Sequence, residues 1–236
     1  MLIRNKVFNH IDISSVYKPE SYHTKEGDGR IYFIKNRPHG YYSITTVLSL
    51  IGKKKIELWR KRIGEKEADK ISNDAKDRGN NIHEMIERYL KNEDRSFIKE
   101  YSSRNQVRFN QIRLLLNKNI DNILLQETIL YSDIVKVAGR VDLVAEWNGV
   151  LSIIDFKGSN KLKKKKWIEH YFLQEIFYSL ALYEMTKYKA KQIVTLIVGD
   201  DLSTKPFIEQ IDRQKVQKLQ DHVKKYYEIK GLPLVE

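Results

Sequence analysis

After Asn119 the chain changes its hydrophobic period, and this stretch limits the fold more than any other. Residues 123–125, 128–131, 135–147 and 150–156 are dense in β-branched and aromatic side chains, with Asn148 and Gly149 between the last two. Asparagine followed by glycine supplies the positive φ that a tight hairpin between right-twisted strands requires. The pattern predicts a meander of three antiparallel strands. Around it the period is helical: Ile56, Trp59, Ile63, Ile71 and Ala75 recur over 55–91, after a short helix through Leu50 capped by Thr45 or Thr46. Further helices are expected over 103–118, held to the core by Leu114, Leu115 and Leu116, over 167–188, and from Asp212 as N-cap. Strands are expected over 193–198 and 207–211. The class is α/β, with a small mixed sheet flanked by helices.

The reading is of one domain over 1–236: a hairpin and loop region at 1–40, a helical region at 45–118, a sheet core at 120–211 and a C-terminal helix at 212–236. Hydrophobic residues make up 41% of the chain, enough to fill such an interior.

Lysine and arginine number 43 against 31 aspartates and glutamates, a formal charge of +12. Such an excess favours polyanions, because each phosphate neutralised releases condensed counterions. No cysteine is present, which excludes disulfides, thiolate zinc sites, iron–sulfur clusters and cysteine nucleophiles. Neither phosphate-binding glycine loop occurs, so ATP is not expected as a cofactor. No apolar run is long enough for a membrane span, and residues 1–10 lack the apolar heart of a signal peptide, so a soluble cytoplasmic protein is expected.

One constellation carries chemistry. Asp142 lies near the middle of one expected strand, Asp155 ends the next, and Lys157 falls on the same face as Asp155 because strand side chains alternate. Residues 150–154 are apolar, so a carboxylate at their end meets the margin of the core, where an unpaired charge is costly. A hard divalent cation, Mg²⁺ or Mn²⁺, compensates that charge and serves phosphoryl chemistry. Lys157 is placed to orient water or neutralise charge building on phosphorus. On the long helix, His83 offers an additional imidazole ligand, and Glu87 one turn later shares its face.

The order Arg78, Gly79 and His83, then Gly139 and Asp142, then Asp155 and Lys157, then Gln174 and Tyr178 resembles that of the PD-(D/E)XK nucleases of the RecB-like branch. Within it, Ser43 through Leu48 and the run Trp59, Arg60, Lys61, Arg62 look most like the mitochondrial genome maintenance exonuclease and its phage relatives, over roughly 40–200. The resemblance implies a restriction-endonuclease-like core in which His83, Asp142, Asp155 and the main-chain carbonyl of Phe156 bind the ion and Lys157 assists the attacking water. It also implies that Gln174 and Tyr178 hold the strand being cut, that Glu127 has a supporting role, and that the basic helix around Trp59 arches over threaded single-stranded DNA. Gly158 departs from the pattern, since many relatives carry threonine there. Members of the branch with an iron–sulfur cluster hold it on cysteines, so the cluster-free group is the better match.

Arg78, Arg140, Lys161, Lys163, Lys164, Lys165 and Lys166 bracket the constellation in sequence, and Trp167 adds a stacking face, the combination by which single strands are held without sequence readout. The expectation is a metal-dependent DNA exonuclease acting on single-stranded ends in replication, recombination or repair. Richness in lysine, asparagine and isoleucine suits a phage genome. Two alternatives stand beside it: a structure-specific or restriction-type endonuclease with the same site, and a catalytically silent DNA-binding protein.

Overall fold

The structure, a computed structural model, describes residues 6–232. Residues 1–5, half of the segment tested for a leader, and residues 233–236, the end of the C-terminal segment, lie outside the described residues.

The expected meander forms from β4 (Ile120–Ser132), β5 (Val137–Trp147) and β6 (Val150–Ser159). Asn148 at φ 53° and Gly149 at φ 75° make the left-handed turn between the last two. From β6 the chain crosses over through α5 (Glu169–Thr186) to the parallel strand β7 (Gln192–Gly199), and β8 (Thr204–Gln210) returns antiparallel. All eight residues of β7 are buried, as a strand covered on both faces must be. The last helix, α6 (Arg213–Lys230), starts where Asp212 accepts the Lys215 N–H at 2.9 Å.

The expected N-terminal hairpin forms and also joins the sheet. Strands β1 (Tyr22–Lys25), β2 (Ile31–Ile34) and β3 (Gly40–Ser43) bring it to eight strands, and β3 lies parallel to β5. Ser43 occupies the N-cap of α1 (Ile44–Leu48), so neither Thr45 nor Thr46 caps it.

Gly64, at φ 88°, breaks the helix expected over 55–91 into α2 (Lys53–Ile63) and α3 (Glu65–Leu90). The apolar spacing there does not seal a core. No residue of α2 is buried, and α3 buries only Ala68 before Ile82. Ile56 and Ile71 are exposed, and Arg60 of α2 pairs with Glu65 and Asp69 of α3. From Ile82 onward α3 packs with α4 (Ser103–Asn119) on one face of the sheet, against Ile154, Phe156, Val194 and Leu196. Of the three leucines expected to anchor α4, Leu116 is buried and Leu114 is exposed. Helices α1, α5 and α6 cover the other face, against Ile153, Ile193 and Ile197.

The sheet forks at β5. One edge of β5 is covered by β4 along its whole length. On the other edge β3 pairs only at Val137 and Ala138, and β6 only from Leu143 to Trp147. Among the described residues, 139–142 therefore have no strand partner on that edge, and their backbone groups must be satisfied otherwise.

Candidate active site

Side chains fill the fork. The Asp142 carboxylate accepts the Phe156 N–H at 2.9 Å, and the Tyr178 hydroxyl on α5 donates to the Arg140 carbonyl at 2.8 Å. Gly139 makes the second contact possible: a Cβ there would lie 2.7 Å from the Tyr178 hydroxyl oxygen. Gln174, one turn earlier on α5, donates to Tyr178 at 3.4 Å.

Asp142 also faces His83 on α3, with Oδ2 3.4 Å from Nδ1. The β4–β5 register sets Glu127 opposite Asp142, between the pairs Gln126–Leu143 and Thr128–Val141. His83, Glu127 and Asp142 each offer a ligand atom within 4.8 Å of the others, a group able to hold a metal ion. Glu127 thus sits in the group itself, where the sequence suggested only a supporting position. Its backbone is left-handed at φ 48°, which costs a non-glycine residue about 1 kcal/mol.

Asp155 is 1% exposed, and the Lys157 ammonium closes on its carboxylate as an ion pair. Burial, offset by Lys157 and reinforced by Asp142, pushes its pKa up to about 6. Burial and then the Asp142 charge push Glu127 up to about 7. Burial works against the Lys157 ammonium, yet Asp155 and Asp142 hold its pKa above the ordinary lysine value. These are the marks of acidic groups held together out of water, with Lys157 as a partly compensating cation. Phe156 turns its N–H toward the fork, and in an extended strand its carbonyl shares that edge.

Glu175 was not foreseen. It is wholly buried on α5, accepts a hydrogen bond from Thr195, and has its pKa raised well above the usual carboxylate range by burial and by Asp155. A lone acid in the apolar run 172–178 was its signal. Arg108 was also missed. Wholly buried on α4, it lies 3.2 Å from Asp200, which Arg78 and Arg104 approach at 3.4 Å each. Arg78 further donates to Asn160 at 2.8 Å, just beyond β6. Gly158 leaves room here, since a Cβ would come within 3.4 Å of the Arg108 guanidinium.

The lysine tract is divided. Lys163 donates to the Tyr171 hydroxyl at 2.7 Å, and both it and Lys157 lie about 5 Å from the centre of that ring. Lys161 is exposed, and Lys164 lies over the exposed Trp167. Lys165 instead pairs with Glu209, and with Lys166 it lines a separate hollow toward α6. Those two do not border the constellation. Arg140 is exposed at the cleft and pairs with Glu127 at 3.0 Å. Glu87 lines the same cleft and pairs with Lys91.

The sequence profile of the PD-(D/E)XK nuclease superfamily matches residues 58–231. The chain belongs to that superfamily. As a PD-(D/E)XK nuclease it has the expected architecture, an open mixed sheet flanked by helices. A solved structure of a candidate exonuclease from Eubacterium rectale matches with a TM-score of 0.40 at 13% identity, covering 66% of this chain and 68% of that one. That likeness is too loose to carry an argument. No curated protein matches the chain. PD-(D/E)XK nucleases use divalent metals, and family membership implies a DNA substrate. The donors fit such an ion: hard carboxylate oxygens with one imidazole, beside the buried carboxylate of Asp155. No helix among the described residues is long and apolar enough to cross a membrane.

Proposed function

We propose that the protein is a Mg²⁺- or Mn²⁺-dependent deoxyribonuclease of the RecB-like branch, with one nuclease domain, that removes nucleotides from single-stranded DNA ends. The observation that carries this reading is the convergence of Asp142, Asp155 and Lys157 with His83 where the sheet forks.

His83, Glu127, Asp142, Asp155 and the Phe156 carbonyl would hold the ion. When bound, a divalent cation polarises the phosphate and makes water a better nucleophile at neutral pH. Lys157, released from Asp155 once that carboxylate has another partner, neutralises the charge that grows on the phosphate oxygens. Tyr178 and Gln174 keep the Arg140 segment in place and border the strand. Arg140, Lys161, Lys163 and Lys164 contact its phosphates, and Trp167 offers a stacking face. The unburied helices α2 and the first half of α3 form the arch under which an end is threaded, which makes the enzyme an exonuclease.

The test is incubation of the purified protein with end-labelled single-stranded DNA, duplex DNA and a covalently closed single-stranded circle, with Mg²⁺ and with EDTA. Release of nucleotides from the linear single strand in Mg²⁺ alone, with the circle left intact, is expected. Cleavage of the circle would replace the exonuclease with an endonuclease, and no cleavage of any substrate would overturn the reading.

A further inference from the structure

We propose that the β1–β2 hairpin is a base-stacking wall for the single-stranded substrate, with Tyr22 as its platform and Tyr32 as the support behind it. The inference rests on the nuclease reading above. It adds a binding surface that lies before the family-matched residues, which begin at 58.

A cleft of about 840 Å³ runs from Asp142 and Glu127 outward between two walls. One wall is α3, through Lys76, Asn80 and Glu84; the other is the hairpin, through Tyr22, Arg30 and Tyr32. Tyr22 is 43% exposed, whereas Tyr32 is 5% exposed. Their rings lie 5.6 Å apart at 50°, so the buried ring braces the open one. Tyr178, whose hydroxyl closes the fork on the Arg140 carbonyl, lines the same cleft. Three tyrosines, Tyr22, Tyr32 and Tyr178, therefore line the cleft.

Charge alone does not explain how a polyanion stays there. Among the lining residues Arg30, Lys76 and Arg140 face Glu84, Glu87, Glu127 and Asp142, so carboxylates outnumber the lysines and arginines. Phosphates gain little from such a wall, and an exposed aromatic face supplies attraction of another kind. Every unpaired base has a π-face to offer it, whereas bases inside a duplex are already stacked. The hairpin thus favours single strands by what it contacts, independently of any arch. β1 supports this use: all four of its residues are exposed, and among the described residues it lies at the edge of the sheet, paired with β2.

The test uses the full chain and an end-labelled oligothymidylate. Tyr22→Ala is expected to raise KM about 5- to 160-fold, the range that loss of one base–aromatic stack gives, with kcat little changed. Tyr22→Phe and Tyr22→Trp keep the ring and should restore the wild-type KM. Abasic residues in the substrate should weaken wild type and leave Tyr22→Ala unaffected. An unchanged KM in Tyr22→Ala, or a Tyr22→Phe variant as impaired as alanine, would overturn the stacking wall while leaving the nuclease intact. If wild type cleaves nothing, the nuclease reading fails by itself. Fluorescence polarisation of the same labelled oligothymidylate then still decides the wall: weaker binding by Tyr22→Ala upholds it, and equal binding rejects it.

Discussion

The carboxylate of Asp142 does for the Phe156 N–H what a neighbouring strand would otherwise do, at 2.9 Å and across the point where β5 and β6 part. It therefore has two roles, a structural one through this bond and a chemical one through its charge. Asp142→Asn keeps an acceptor oxygen and loses the charge, so it should fold with near wild-type stability and cleave no DNA. Asp142→Ala also strands a buried N–H, and a denaturant melt should read a loss of about 1–3 kcal/mol. Equal stability of the two variants would reject the structural role.

The Lys157 ammonium closes on the buried Asp155 carboxylate. Lys157→Ala and Asp155→Ala should each abolish cleavage while DNA binding, read by gel shift, survives. Without metal, Lys157→Ala should also cost about 3 kcal/mol of stability near neutral pH, because it leaves a buried carboxylate unpaired. Full cleavage by either variant would remove the pair from the mechanism.

Metal binding and pH should be linked with a definite sign. Asp155 and Glu127 are raised to about 6 and about 7 from ordinary values of 3.8 and 4.5. In the folded chain they keep protons that the unfolded chain has already released, so the metal-free protein loses stability as pH climbs from about 4 to about 7. A divalent ion selects the ionised forms. The rise in Tm on adding Mn²⁺ should accordingly be larger near pH 8 than near pH 5, and EDTA should reverse it. A rise independent of pH would place the ion elsewhere.

Gly139→Ala tests the fork from the other side. The new methyl would sit 2.7 Å from the Tyr178 oxygen and 2.9 Å from Ile44 Cγ2, so one of them must move. Overpacking of this kind costs about 1–3 kcal/mol. It should also displace Tyr178 from Arg140 and raise KM for single-stranded DNA. Unaltered melting and KM would mean that the contact is dispensable.

What the sequence revealed was local. The Asn148–Gly149 turn and the alternation on either side of it brought Asp142 and Asp155 onto adjacent strands, and family order supplied His83. Glu127 was undervalued because its place depends on the β4 register, which shifts at Asp121–Ile123 and again at Ile123–Leu125. Neither bulge has a signature in the residues. β3 has no signal of its own in the residues because its partner, β5, lies almost a hundred residues away and pairs with it at only two positions. The apolar spacing in α2 and early α3 invited a buried face, yet dense charge on both helices and the break at Gly64 leave them in solvent. Glu175 stood out as a charge among apolar neighbours and Arg108 did not, and their partners, Thr195 and Asp200, come from elsewhere in the chain.

Four residues of β5, from Gly139 to Asp142, forgo half of their ladder. An engineer seeking a sturdier protein would be tempted to zip that gap, drawing β6 or β3 along the vacant edge and gaining several rungs. The same edit would seal the groove. Resistance to heat and speed of turnover are thus set by one short stretch of backbone and pull it in opposite directions.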